Sequence, residues 1–486
     1  MLLFSFPQEL IDMIIDEAAS SESKLPSKPP SKPDQDSRTH TLIALSRVSR
    51  AFRERAHDHL FACIEFDGSP RATKAAARLL SLLKNDVQVD HHPSHINTDT
   101  AAGAKLASRI TTLSCGIPQH NHLVLLYLPI LKKLFTGSAG LKPCSLSLHF
   151  FYSPSWSSLP PTVAQDLFHV CHRPRLTSLS LTKLYDIPRN FFKLQHSHIG
   201  VKRLSLQSVS VSDSESLLLP ESFFAIGMIP GPGRYGEPAV SLEYLHIQNE
   251  ASVLSLLTIP SATLEGLGVH PPLPGPTSIA LFSHLKELDY SFPFNTVNST
   301  IPSTALEEIL IGCKGHLEVL QTSFAKLGAA KPLIRLPNLP NLHTLRINAL
   351  GLEASTLFDL TDLLSNFTSN QRFPNLHTIE LKFNLSYSWL SHGDADVIRA
   401  LYLLGSVALD ELFVTQQEEF ARVRKLTLHC CSSGLHAPFL LSHMPGVLRR
   451  PEEYEPLVMS QFPRIASREN LAFSVHVHHE KTRMLN

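Results

Sequence analysis

Leu242-Glu243-Tyr244-Leu245-His246-Ile247 carries the spacing L-x-x-L-x-L, and its last three positions alternate apolar, polar, apolar as a half-buried strand does. The same spacing, with aliphatic substitutions, occurs at Leu176-Leu179-Leu181, Val201-Leu204-Leu206, Leu264-Leu267-Val269, Leu285-Leu288-Tyr290 and Leu306-Ile309-Ile311. It returns at Leu342-Leu345-Ile347, Leu376-Ile379-Leu381, Leu409-Leu412-Val414 and Val423-Leu426-Leu428. The starts at 242, 264, 285 and 306 are 22, 21 and 21 residues apart, and those at 342, 376 and 409 are 34 and 33 apart.

A unit of this length holds one strand and a return segment and cannot bury its own apolar face, so neighbouring units must stack. The pattern resembles a leucine-rich repeat. The expected fold class is α/β, with an irregular leucine-rich-repeat-like solenoid over residues 110–443 that contributes one parallel strand per repeat. The longer units have room for a helix, as in Thr356 to Phe367 and Ala395 to Leu404. Regular repeats place Asn or Cys three residues after the third aliphatic position. Asn384 and Cys431 fit, whereas Val209, Glu250, Pro272, Pro293, Lys314 and Leu350 do not, which makes the array irregular. An unrelated α/β domain with leucine-rich strands is the alternative reading.

On a strand, the residues between the leucines point away from the core. Candidates for a target-binding face are therefore Tyr244, His246, Glu287, Asp289, Arg346, Glu380, Lys382, Lys425 and His429, with Gln248, Thr344, Asn348, Thr378 and Thr427 beside them. The mixed charge suits a protein partner better than a polyanion. Any single one of these residues is more often solvated surface than an anchor.

The chain reads differently over residues 1–66. Phe6-Pro7-Gln8-Glu9-Leu10 starts a helix, because proline in the first turn loses no needed N–H and the residue before it avoids the helical region. Ser5 and Gln8 also have capping-box spacing. Leu10, Ile11, Ile14, Ile15 and Ala18 recur on one helical face. A second helix is expected from about Thr41, with Leu42, Leu45, Val48 and Phe52 on its stripe, and Ala56 and Leu60 continue a third. Cys63 to Phe66 reads as a short strand. Residues 20–39 are proline-rich and nearly devoid of apolar side chains, and are expected as a solvated inserted loop. Three short helices have little room for a private core, so the leftover apolar surface calls for a partner.

Phe6-Pro7-x-Glu9-Leu10 with Ile14-Ile15, followed by Leu45-Ser46-x-Val48-Ser49-Arg50-Ala51-Phe52-Arg53, resembles an F-box domain. The Ser-Arg-Ala-Phe form followed by His59-Leu60-Phe61 is similar to those in the large F-box families of mushroom-forming fungi. Phe6 stands where the family usually has leucine, and the 20–39 insert replaces a short loop. The resemblance implies a three-helix F-box over 1–66 that binds the Skp-type linker subunit of a cullin-RING ubiquitin ligase through Phe6, Pro7, Leu10, Ile14, Leu45, Val48 and Phe52. A helix and polar linker are expected over 67–109, and a C-terminal cap over 444–486.

Composition narrows the function classes. The 486 residues include 43 Lys plus Arg and 43 Asp plus Glu, so no global field favours nucleic acid or an anionic membrane. Seven cysteines without C-x-x-C pairs are no disulfide framework. The first residues carry no basic n-region, and no run is long and apolar enough to span a bilayer. Reduced thiols in the cytoplasm or nucleus are expected.

His91, His92 and His95 lack partners at metal-site spacing, and His476, His478 and His479 read as surface. Gly231-Pro-Gly233-Arg-Tyr-Gly236 matches a nucleotide fingerprint by letter only, since Pro232 and Pro238 spoil the receiving helix. No catalytic residue, metal or cofactor is expected. The sequence thus reads as a non-enzymatic substrate-recognition adaptor of a Skp-cullin-F-box ligase. The alternatives are an F-box scaffold outside a ligase, or an enzyme whose site lies unseen in the array, since a catalytic triad is recognised by geometry and not by spacing.

Overall fold

The computed structural model of the chain describes residues 8–20, 32–84, 105–136, 144–173, 176–188, 191, 201–212, 242–248, 282–291, 301–324, 336–349, 361, 364–365, 373–386, 401, 406–416, 420–433 and 451–479. The chain is α/β, and it divides into two compact units. One is formed by Met1–Val201 with Ser212–Pro230, the other by Lys202–Val211 with Gly231–Asn486.

The first unit opens with three helices, α1 (Gln8–Ser20), α2 (Lys32–Leu45) and α3 (Arg50–Leu60). Ile11, Ile15 and Ala19 fall at i, i+4 and i+8 on α1 and bury themselves with Leu42 and Ala56, while Leu45, Ala51, Phe52 and Leu60 pack around them. Ser49 caps α3 by accepting from the Phe52 N–H at 3.4 Å. Asp16 accepts from both nitrogens of the Arg55 fork, at 3.0 and 2.8 Å, which ties α1 to α3. Arg109 reaches Asp58 at 2.8 Å and also Glu54, and Glu54 takes Lys105 as well, so residues 105–109 are clamped to α3.

The expectation of a loop over 20–39 is corrected in part. Ser20 closes α1, and α2 begins at Lys32, about nine residues before the expected Thr41. Pro33 sits in its first turn, where a missing N–H has no cost, so a stretch poor in apolar residues can still start a helix.

Strand β1 (Cys63–Phe66) pairs in parallel with β2 (Thr112–Ile117), β2 with β3 (Ser145–Phe150), and β3 with β4 (Ser178–Thr182). Parallel neighbours need long crossovers. These are supplied by α4 (Pro70–Lys84), by the helical stretch from His120 to Thr136, and by the helix Pro161–Cys171. β3 was not foreseen, because Pro143 stands at the first aliphatic position of its pattern.

In the second unit eight strands run parallel in chain order: β5 (Arg203–Gln207), β6 (Tyr244–Gln248), β7 (Glu287–Ser291), β8 (Val319–Phe324), β9 (Thr344–Ala349), β10 (Thr378–Ser386), β11 (Lys425–Ser433) and β12 (Ala472–His479). The register aligns the leucines into columns. Leu204, Leu245, Leu288, Leu320, Leu345, Ile379 and Leu426 form one, and all are buried. Leu206, Ile247, Tyr290, Thr322, Ile347, Leu381 and Leu428 form the next, also buried. A third lies just before the strands, at Leu242, Leu285, Leu317, Leu342, Leu376 and Val423. Each column buries what no single unit could cover alone.

Two expected strands are helices. Leu306-Ile309-Ile311 lies in the helix Ile301–Cys313, where Leu306, Ile309, Leu310 and Cys313 are buried at helical spacing and Ile311 is 50% exposed. Leu409-Leu412-Val414 lies in the helix Ser406–Thr415, which buries Leu409, Leu412 and Phe413 and leaves Val414 outside. The strand that serves after 301 is β8, whose pattern Leu317-x-x-Leu320-x-Thr322 ends on a buried threonine. The spacing is accordingly uneven: the first residues of β6, β7, β8 and β9 are 43, 32 and 25 residues apart. Leu264-Leu267-Val269 lies outside the described residues, and β6 pairs directly with β7. Leu471 to Val477, expected as a strand near the C-terminus, forms most of β12 and pairs with β11. Before it, Asp410 accepts from the Ile465 and Arg464 N–H groups at 2.8 and 3.2 Å, fixing the turn Pro463–Ala466 against the helix Ser406–Thr415.

Candidate functional site

Two surfaces carry the candidate residues. The first lies on the N-terminal helices. Leu10, Met13 and Ile14 share one face of α1 and are 39%, 58% and 43% exposed, and Val48, in the turn between α2 and α3, is 64% exposed. Their neighbours Ile11 and Ile15 fill the private core, so the expected stripe on α1 splits into a buried half and an uncovered half. Of the candidate docking residues, Leu10, Ile14 and Val48 are outward, while Leu45 and Phe52 pack partly against the core. Phe6 and Pro7 lie outside the described residues. Met13 was missed, although it stands one helical turn from Leu10.

The second surface is the polar face of β5–β12. In register, Ser205, His246, Asp289, Gln321, Arg346, Glu380, Thr427 and Ser474 form one row across the eight strands. His246 Nδ1 lies 2.6 Å from Asp289 Oδ2, Gln321 donates to the same oxygen at 2.9 Å, and Gln207 Nε2 lies 3.2 Å from His246 Nε2. The other oxygen, Asp289 Oδ1, is buried without a hydrogen bond. Farther along the row Arg346 donates to Glu380 at 2.9 Å, and Ser474 to Thr427 at 3.2 Å.

Of the candidate target residues, Tyr244 stands opposite Glu287 and carries the Arg203 guanidinium 4.4 Å above its ring. Burial pushes the Tyr244 hydroxyl up from its ordinary range. Lys382 and His429 are opposite one another in register, and Lys425 starts β11 beside Thr378. Thr427, expected on the open face, is buried between Glu380 and Ser474. Arg203, Gln207 and Gln321 were missed. The first two follow from the repeat at Val201, whose intervening residues share the polar face, and Gln321 was hidden with β8.

The row bears on the enzyme alternative. A nucleophile triad needs a hydroxyl on the histidine nitrogen that the acid does not hold. Ser205 is opposite His246 in register, yet Gln207 holds the contact at Nε2. Among the described residues no group of His, Cys, Asp and Glu is arranged to hold a metal ion, and no helix is long and apolar enough to cross a membrane. Burial drives the thiols of Cys171 and Cys313 up to about 12, and those of Cys115 and Cys430 upward still more, which keeps them protonated and poor nucleophiles.

Fold and surfaces define the chain as an α/β protein with parallel strands in chain order and a helical amino-terminal subdomain. No family model matches it, and a search of the curated proteins finds no match.

Proposed function

We propose that the chain is a non-enzymatic substrate-recognition adaptor of a Skp-cullin-F-box ubiquitin ligase. In this reading α1–α3 are an F-box that binds the Skp-type linker subunit, and β5–β12 belong to a leucine-rich-repeat-like solenoid whose polar face holds a protein target. The observation that carries it is the outward apolar set of Leu10, Met13, Ile14 and Val48, next to a helical core that is already complete without them. Exposed apolar residues clustered on one helix mark an interaction site. The sheet face supports the second half, since its paired charges and amides are rigid polar groups suited to a protein surface.

The adaptor works by proximity. Catalysis belongs to other subunits, and this chain raises the effective concentration of the target near the transferring ubiquitin. Such ligases act in the cytoplasm and nucleus, in keeping with a chain of reduced thiols. The test is co-purification of the full chain with a Skp-type subunit. Wild-type protein retains the subunit, and Ile14→Asp combined with Val48→Asp loses it. A folded wild-type chain that captures none overturns the reading. Acting as a scaffold outside a ligase predicts the same capture without accumulation of any target when Pro7 and Leu10 are replaced together.

A further inference from the structure

We propose that the cavity at the N-terminal edge of β10–β12 binds a phosphoryl group. The cavity measures about 600 Å³ and is lined by His377, Ala421, Arg422, Arg424 and Asn470. It rests on a feature of the sheet edge. The residues immediately before β5 to β11 are Lys202, Glu243, Lys286, Glu318, His343, His377 and Arg424, and each after Lys202 donates its backbone N–H to the carbonyl of the one before, at 2.8 to 3.0 Å. The parallel register therefore sets these side chains in a single file.

Charge along the file is not uniform. Its first half alternates in sign and neutralises itself: Lys202 reaches Glu243 at 2.8 Å, and this contact first, then Lys286, holds the Glu243 carboxyl below its ordinary range. Past Glu318 the acids stop. His343 and His377 stack with centroids 5.9 Å apart, Arg424 follows, and Arg422 joins from the preceding turn. Among the described residues no carboxylate lines the cavity and Arg424 takes part in no ion pair.

The walls are prepared for a ligand. Backbone hydrogen bonds fix the sheet edge, and Arg422 is aimed by a bond from Nη1 to the Pro374 carbonyl, which leaves its other N–H groups to donate. Arg422, Arg424 and Asn470 line the same open cavity. A carboxylate, with one charge and two oxygens, is satisfied by one fork. A phosphate monoester, with close to two charges and three acceptor oxygens, matches two. Its source is a phosphorylated side chain of a partner or a free phosphate ester.

The full chain is titrated calorimetrically at constant ionic strength with a phosphoserine peptide, with glycerol phosphate and with acetate. Both phosphate monoesters are expected to bind, and acetate to bind at least about tenfold more weakly. Arg424→Ala and, separately, Arg422→Ala are expected to weaken the phosphates by about tenfold or more with an unchanged unfolding midpoint, and Arg424→Lys, which keeps the charge and loses the fork, by less. A peptide at least about tenfold tighter than glycerol phosphate identifies a modified partner as the source, and equal affinities identify a free ester. Acetate binding as tightly as phosphate, or phosphate binding indifferent to both arginines, overturns the assignment. The site is independent of ligase docking, so a chain that binds phosphate and no Skp-type subunit leaves it standing.

Discussion

His246 Nδ1 and Asp289 Oδ2 lie 2.6 Å apart on adjacent parallel strands, with 12% and 14% of their side chains exposed. Asp289 Oδ2 also accepts from Gln321, so one carboxylate oxygen joins β6, β7 and β8 across the polar face.

Replacing that carboxylate is expected to cost stability according to what remains as acceptor. Asp289→Ala leaves His246 and Gln321 donors short of a partner and should lower the unfolding free energy by about 1–3 kcal/mol. Asp289→Asn keeps an oxygen at the same place and should cost less. Urea unfolding of the two variants decides it, and equal losses would show that the hydrogen bonds are not what the aspartate supplies.

The N-terminal helices should separate stability from binding. Ile15 is fully buried, and Ile15→Ala is expected to cost about 2–5 kcal/mol. Val48→Asp and Ile14→Asp act on exposed positions and should change stability within about 0.5 kcal/mol while reducing capture of a Skp-type subunit by tenfold or more. Thermal unfolding beside quantitative pull-down reads both effects.

Acid should loosen α1 from α3. Hydrogen bonds from Arg55, and then from His59, hold the Asp16 carboxyl below its ordinary range, and Lys105 does the same first for Glu54. A lowered folded value means that the stabilisation is complete above the unfolded value of about 4 and fades as pH falls through the folded value. These side chains are largely exposed, so each contact is worth no more than about 1 kcal/mol. The stability difference between wild type and Asp16→Asn should shrink toward zero as the pH falls through the lowered Asp16 value, and a difference that persists in stronger acid would assign the loss to packing.

The two regions that proved helical offer a direct test. Ile309 is fully buried and Ile311 half exposed, so Ile309→Lys should unfold the second unit and Ile311→Lys should leave it intact. A strand would bury both alike, and equal damage from the two substitutions would restore it.

Asp410 is buried and accepts from the Arg464 and Ile465 N–H groups. Asp410→Ala should cost about 1–3 kcal/mol and speed hydrogen exchange at those two amides above all others. Uniform acceleration across the unit would instead mean global loosening.

Local spacing settled much of this chain. The L-x-x-L-x-L copies at 176, 201, 242, 285, 342, 376 and 423 all deliver strands with the leucines inward, because a strand hides every second side chain whatever surrounds it. α1, α3 and the strand at Cys63 were legible for the same reason. At Leu306-Ile309 and Leu409-Leu412 spacing could not decide, since i and i+3 suit a helix as well as the repeat. The deciding neighbours, Leu310 with Cys313 and Phe413, are buried only because the second unit presents an apolar surface to one side of each segment. Pairing across strands was likewise beyond a linear reading. Residues 43 apart, such as His246 and Asp289, meet only through the parallel register, and the same register brings Arg424 beside His377, 47 positions away, at a cavity whose described lining is basic. Side-chain alternation is a property of one strand, whereas which strands adjoin depends on the length of every return segment between them.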